Sequence, residues 1–264
     1  MKVTFDSNTY RRVVDPSVFA KDPRLPEFQK IHAAIGDGRI EARVSETLAT
    51  LEGIQNAQRG LYFSAAKADV SVSEEELGNG EIKLSIKVEA GSLHLGLHEV
   101  VERWRAAAVA LGVRFMRAPR IGLARPSELQ ESDFVQDQGE EQSNRNNRFI
   151  ALGRDLEGRG VGRAVLTAIG NGIHSRLGTT GTWFSALNQA ADIHEERRIQ
   201  RGVGEWADAD TVAAHYAYEN DYLCTEDEGN SADGASVFDP ATRAWLTANY
   251  GIRFVTLTEL AALL

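Results

Sequence analysis

Carboxylates stand where a parallel sheet would gather them. Asp6 directly follows "KVTF", and Asp227 comes two residues after "YLCT". Glu52 lies on the helix that follows "IEARVS", and Asp208 and Asp210 open the helix that feeds "YLCT". In open α/β sheets ligands bind in the crevice at the carboxyl ends of the strands. A sheet built from these strands would therefore bring four acids to one edge. Held close together they repel one another by several kcal/mol unless a cation lies between them. The set is made of oxygen ligands, which points to a hard ion, Mg²⁺ or Mn²⁺.

The elements that must position these groups can be read from local pattern. "KVTF" is short, apolar and β-prone and predicts a first central strand; "IEARVS" predicts a second. "EFQKIHAAIGDGRI" predicts a helix with Phe28, Ile31 and Ile35 on one face, stopped at "GDG". "SETLATLEGIQNAQRGLYF" returns to helical period with Ser45 as its cap. From about residue 64 the pattern changes to polar–apolar alternation around "GNG", a hairpin signature. A periodic helix over about 97–111 follows, then the extended "VRFMRAPRIG". "SDFVQDQGEEQSNRNNR" (132–148) is polar with almost no aliphatics and predicts a mobile loop. After further helical sequence the tail predicts a helix over about 208–219, the strand "DYLCT", a loop, the helix "PATRAWLTANYG", the strand "IRFVTL" and the closing "TELAALL". The reading is an α/β domain formed by residues 1–63 and 176–264, with 64–175 as an inserted α+β segment.

Composition narrows the function classes. Hydrophobic residues make up 42% of the 264 residues and charged residues 25%, ordinary for a soluble globular chain. No apolar run approaches the ~20 residues that span a bilayer. "MKVTFDSN" lacks the apolar core of a signal peptide. One cysteine, Cys224, excludes an intrachain disulfide and fits a reducing, cytoplasmic setting. The net charge of −9 excludes coating of nucleic acid by bulk electrostatics, so any polyanion must meet a local basic patch.

At the acids and their neighbours the sequence resembles the PIN domain family of metal-dependent ribonucleases. That family opens with a strand followed by Asp-x-Asn, here "FDSN" with Asp6 and Asn8. Its second acid is a Glu on a helix after a strand ending in Ser; "RVSETLATLEG" offers Glu52, with Glu46 as the alternate. Its third acid starts an Ala-rich helix, as in "ADADTVAAHYA", where Asp210 is preferred over Asp208 because Ala213, Ala214 and Ala217 then fall in the usual places. Its fourth follows a strand as Thr-x-Asp, here Thr225 and Asp227 in "CTED". The resemblance covers about 1–63 and 176–264, and the inserted segment roughly doubles an ordinary member. It implies a three-layer α/β/α fold with a mainly parallel sheet. It also implies hydrolysis of phosphodiesters, most naturally of single-stranded RNA and otherwise of single-stranded DNA, with Mg²⁺ or Mn²⁺ held by Asp6, Glu52, Asp210 and Asp227. Asn8 and Thr225 would orient those carboxylates or contact phosphate. Family toxins held by an antitoxin are about half this length, which argues against that role; self-association is left open.

Two rival classes stay open. "FDSNT" also sits where a haloacid-dehalogenase-like phosphatase keeps its aspartyl nucleophile, although Asn8 replaces the second acid. A PIN-like module without activity could bind nucleic acid or a protein through the same cleft. For substrate contact, six arginines and no acid stand between Arg103 and Pro126, with Arg103, Arg114, Arg117 and Arg120 the candidates for phosphate. The plainer reading is that these arginines pair with the excess acids. His94 and His98 have helical metal-pair spacing but no third ligand, and Trp206 and Cys224 read as packing.

Overall fold

The computed structural model of the chain describes residues 1–51, 99–119, 129–136, 139–229 and 236–264, together with the backbone of 67–76 and 82–91. Glu52, Arg120, Arg125, His94 and His98 lie outside the described residues.

Five strands form one sheet: β1 (Lys2–Phe5), β2 (Glu41–Ser45), β5 (Arg114–Met116), β6 (Tyr222–Cys224) and β7 (Phe254–Val255). Their spatial order is β5-β2-β1-β6-β7, and every neighbouring pair is parallel. The chain thus builds outward from β1 through β2 to β5, then crosses back to lay β6 and β7 on the other side. This reversal makes the β1/β6 boundary the topological switch point of the sheet. β3 (Lys67–Glu76) and β4 (Ile82–Gly91) pair antiparallel in a sheet of their own, the hairpin that the alternation predicted.

The described residues contain eight α-helices: α1 (Ser7–Val14), α2 (Leu25–Gly36), α3 (Glu99–Leu111), α4 (Glu140–Gly158), α5 (Arg163–Leu177), α6 (Ile193–Ala217), α7 (Pro240–Tyr250) and α8 (Leu257–Ala262). Strand side chains alternate between the two faces of the sheet. Val3, Phe5, Ala42, Val44, Phe115 and Cys224 enter a core with Tyr10 of α1, Phe28 and Ile31 of α2, Trp104 of α3 and Leu260 of α8. Met116 and Leu223 enter a second core with Phe149 of α4, Leu166 of α5, Val203 and Trp206 of α6, and Leu246 of α7. Two cores on opposite faces make an α/β architecture compatible with a three-layer α/β/α stack. No helix among the described residues is long and apolar enough to cross a membrane.

Residues 64–175 contribute β5 to the sheet, and α3, α4 and most of α5 line its cores. Two local expectations change. The expected mobile loop at 132–148 contains a short 3₁₀ turn at Glu131–Asp133 and the first turns of α4, which starts at Glu140. The expected helix at 208–219 is the last part of α6, whose N-cap is Asp192, with a carboxylate that accepts from the His194 and Glu195 amides. Asp208 and Asp210 are therefore interior helix positions rather than helix starts. The helix runs unbroken through the glycines of "RGVGEW". Gly202 lets α5 approach closely: a Cβ there would stand 3.0 Å from the Leu166 Cδ1.

Candidate functional site at the switch point

The register of the sheet sets up the site. Phe5 of β1 is paired with Cys224 of β6, so the next residues, Asp6 and Thr225, leave the sheet side by side. The Asp6 amide donates to the Cys224 carbonyl at 3.0 Å. Thr9 fastens the first turn of α1 to the same strand, its hydroxyl lying 3.0 Å from the Asp6 carbonyl and 2.9 Å from the Cys224 carbonyl. The two strand ends are therefore clamped before any side-chain chemistry is considered.

Asp6 occupies the N-cap position of α1 with extended backbone, yet its carboxylate makes no capping hydrogen bond. This removes the commonest structural use of an Asp at a helix start. Oδ2 instead accepts from the Thr225 hydroxyl at 2.8 Å, and Oδ1, though buried, has no hydrogen-bond partner among the described residues. Asp6 is only 2% exposed. Burial pushes its carboxyl up from 3.8 to about 6; the charge of Asp227 acts in the same direction, against the Thr225 hydroxyl, the Ser7 amide and Arg243.

Thr225 is the hub. Its Oγ1 donates to Asp6 and accepts from the Asp227 amide at 3.1 Å and from Asn8 Nδ2 at 3.4 Å. The Asn8 Oδ1 accepts from the Glu226 amide at 3.1 Å. Asn8 and Thr225 thus brace the loop after β6 against the start of α1. Asp227 turns back on itself, its Oδ1 accepting from the Gly229 amide at 2.7 Å. Gly229 has φ +65°, and a Cβ there would collide with the Asp239 backbone. Only glycine lets this loop lie against the start of α7.

Asp210 is wholly buried within α6, and the next residue, Thr211, has its hydroxyl 3.2 Å from that of Thr47 just beyond β2. Asp208 lies two residues earlier on α6 and is half-buried. Glu46 directly follows β2, is 1% exposed, and accepts the Ala118 amide just beyond β5. That carboxylate helps tie the ends of β2 and β5 together. Among the described residues no group of three or more His, Cys, Asp or Glu stands close enough to hold a metal ion.

The acids around them brace backbone. Glu205 accepts from the Val237 amide at 2.7 Å and the Gly162 amide at 3.3 Å, with its carboxyl raised by burial and also by the charge of Asp227. Glu226 accepts from the Leu257 amide and pairs with Arg24 at 3.1 Å, and Asp221 accepts from the Lys2 amide at 2.8 Å. On the far face of the sheet, His215 lies 2.9 Å from the Thr4 hydroxyl. Burial holds its pKa at about 3, so it serves the core as a neutral ring.

The described arginines picked for phosphate contact, Arg103, Arg114 and Arg117, stand on or beside different elements. Arg103 lies on α3 beside the Trp104 ring, and Arg114 projects from β5 with its guanidinium on the Val113 carbonyl. Arg117 pairs with Glu131 and covers the Phe134 ring at 4.2 Å. Arg105, in the same run, pairs with Glu102 at 2.7 Å and Asp133 at 3.0 Å. For Arg105 and Arg117 the plainer reading, pairing with the excess acids, is what the structure contains.

Sequence reasoning missed Arg243. It lies near the start of α7, behind the Asp239 cap and Pro240. Its guanidinium donates to the Asp227 carbonyl and faces the rings of Phe238 at 5.6 Å and Phe254 at 5.0 Å. Its charge is felt by Asp227, Glu228, Asp6 and Glu259. The available signal was faint: a cation four residues after a "DP" helix start that follows a strand-end acid.

No protein-family model, no curated protein and no solved structure matches this chain.

Proposed function

We propose that this chain is a PIN-like, divalent-metal-dependent nuclease that hydrolyses phosphodiesters of single-stranded RNA at the carboxyl edge of its parallel sheet. The observation that carries the reading is the meeting of Asp6 and Asp227 through Thr225 at the switch point, with Asp6 Oδ1 buried and lacking a hydrogen bond. A buried carboxylate oxygen without a donor is costly. It is also the kind of atom that a Mg²⁺ or Mn²⁺ ion satisfies. The donor chemistry fits such an ion: Asp6 and Asp227 would hold it, with Asp210 and Glu52 as the further acids the family resemblance implies. When bound, the ion lowers the pKa of an attached water and offsets the charge that builds on the phosphate.

The chain's own residues prepare that chemistry. Thr225 fixes Asp6 Oδ2 and so leaves Oδ1 as the free face of the carboxylate. Asn8 holds the Glu226 amide, and Gly229 holds Asp227 Oδ1, so both acids are oriented before substrate arrives. No side-chain nucleophile is required, because water is the attacking group.

The test is incubation of the purified chain with single-stranded RNA and single-stranded DNA in Mn²⁺, in Mg²⁺ and in EDTA. Cleavage that requires metal and disappears in Asp6→Asn, with an unchanged circular dichroism spectrum, is the expected outcome. Equal cleavage by Asp6→Asn would remove the site from the reaction. A trapped phosphoryl group on Asp6, with no action on RNA, would assign the phosphatase reading instead.

A further inference from the structure

Arg243 is held in place by a backbone carbonyl and two aromatic rings. One donor is spent on the Asp227 carbonyl, and the guanidinium lies near two phenyl rings that fix its plane. Four carboxylates feel its charge, yet among the described residues it forms no ion pair with any of them, and its buried Nε has no hydrogen-bond partner. An arginine that only neutralised the acids would be expected to close on one of them, since forked pairing with a carboxylate is the strong geometry. Here the cation is anchored through a backbone carbonyl and kept beside the acid pair. It reaches the site from α7, on the opposite face of the sheet from α1.

From this arrangement we infer that Arg243 binds a phosphate group of the substrate at the Asp6–Asp227 pair. The inference rests on the nuclease reading for the identity of the substrate, a phosphodiester in a single strand. Its physical content is separable: a planar, always-charged fork with unspent donors suits a phosphate oxygen pair. A cation contributes most to such contact when water is partly excluded, and Arg243 is half-buried.

The experiment measures binding rather than turnover. A fluorescein-labelled single-stranded oligoribonucleotide is titrated with the Asp6→Asn protein in Mg²⁺ and followed by anisotropy at several salt concentrations. It is repeated with Arg243→Gln and Arg243→Lys added. The Gln variant should bind about tenfold more weakly. Its slope of log K against log salt should become shallower by about 0.7, the loss of one phosphate contact to a single strand. The Lys variant should keep the slope and lose several-fold in affinity, since charge stays and the fork goes. A merely structural arginine would shift melting temperature without changing the salt slope. Unchanged affinity and slope in a folded Gln variant would overturn the inference, while RNA cleavage by the wild type left the nuclease reading standing. Should the Gln variant not fold, unchanged affinity in Arg243→Lys overturns it equally. A parallel titration with inorganic phosphate, read as thermal shift, separates the remaining cases. Arg243-dependent stabilisation without oligonucleotide binding keeps the phosphate site and removes the nuclease reading. Binding of neither probe removes the phosphate site.

Discussion

Asp6→Asn has an effect on stability that can be worked out without reference to turnover. In the fold the Asp6 carboxyl is raised by burial from 3.8 to about 6. Between those values the folded chain keeps a proton that the unfolded chain releases. Stability therefore falls as pH rises through this window and stays lowered above it. The rise corresponds to about 3 kcal/mol, an upper figure because it credits the unfolded state with an ordinary carboxyl. Asparagine has nearly the same volume, can still accept from Thr225, and carries no charge to bury. In EDTA at pH 7.5 the variant should be more stable than wild type by up to about 3 kcal/mol, or roughly 6–12 °C in melting temperature for a chain of this size. Below pH 4 the two should melt together. Paired thermal melts across pH 3.5–8 check this, because taking the difference cancels the titrating groups that do not interact with Asp6. A wild type that is the more stable of the two at pH 7.5 would refute the reasoning, since Asp6 would then be paired and not stranded.

Other outcomes follow from the same contacts. Thr225→Val keeps volume but removes the donor to Asp6 and the acceptor for the Asp227 amide. Urea melts of that variant should show a loss of about 1–3 kcal/mol. Gly170→Ala, on α5, would drive a Cβ into the Trp183 carbonyl. Thermal denaturation should then show a loss of about 1–3 kcal/mol as α5 separates from that turn. Mn²⁺ at about a hundred times its dissociation constant should stabilise wild type by about 2.7 kcal/mol and Asp6→Asn by far less, as read by differential scanning calorimetry.

The parts of this fold that were legible in the sequence are those fixed by local pattern. β1, β2 and the helix α2 follow from short apolar runs and period, and α7 follows from the Asp239–Pro240 start and the Gly251 stop at φ +67°. Because parallel strands end at one edge, naming the strand ends was enough to bring Asp6 and Thr225 together. What was not legible depends on partners far away in the chain. β5 has three residues and gains its place by pairing with β2, so its own sequence carries too little pattern to mark it as part of the sheet. The helix expected to begin near Asp208 runs back to Ile193 through Gly202 and Gly204, and Gly202 lies against Leu166. Asp133, which takes up Arg105, lies beyond the arginine run, so the run itself does not show which acid takes each arginine. Arg243 escaped notice because its importance comes from the Asp227 carbonyl and two rings, none of which a one-dimensional pattern displays.

The hydrogen bond from Thr225 to Asp6 joins residues 219 positions apart, and β1 and β6 are paired along the same seam. A ribosome must therefore deliver residue 225 before the two acids can meet. Until then β1 keeps one naked edge, open to mispairing with other nascent chains. On the nuclease reading the delay has a useful side: a half-made copy still attached to its own message lacks the seam it would need to damage that message.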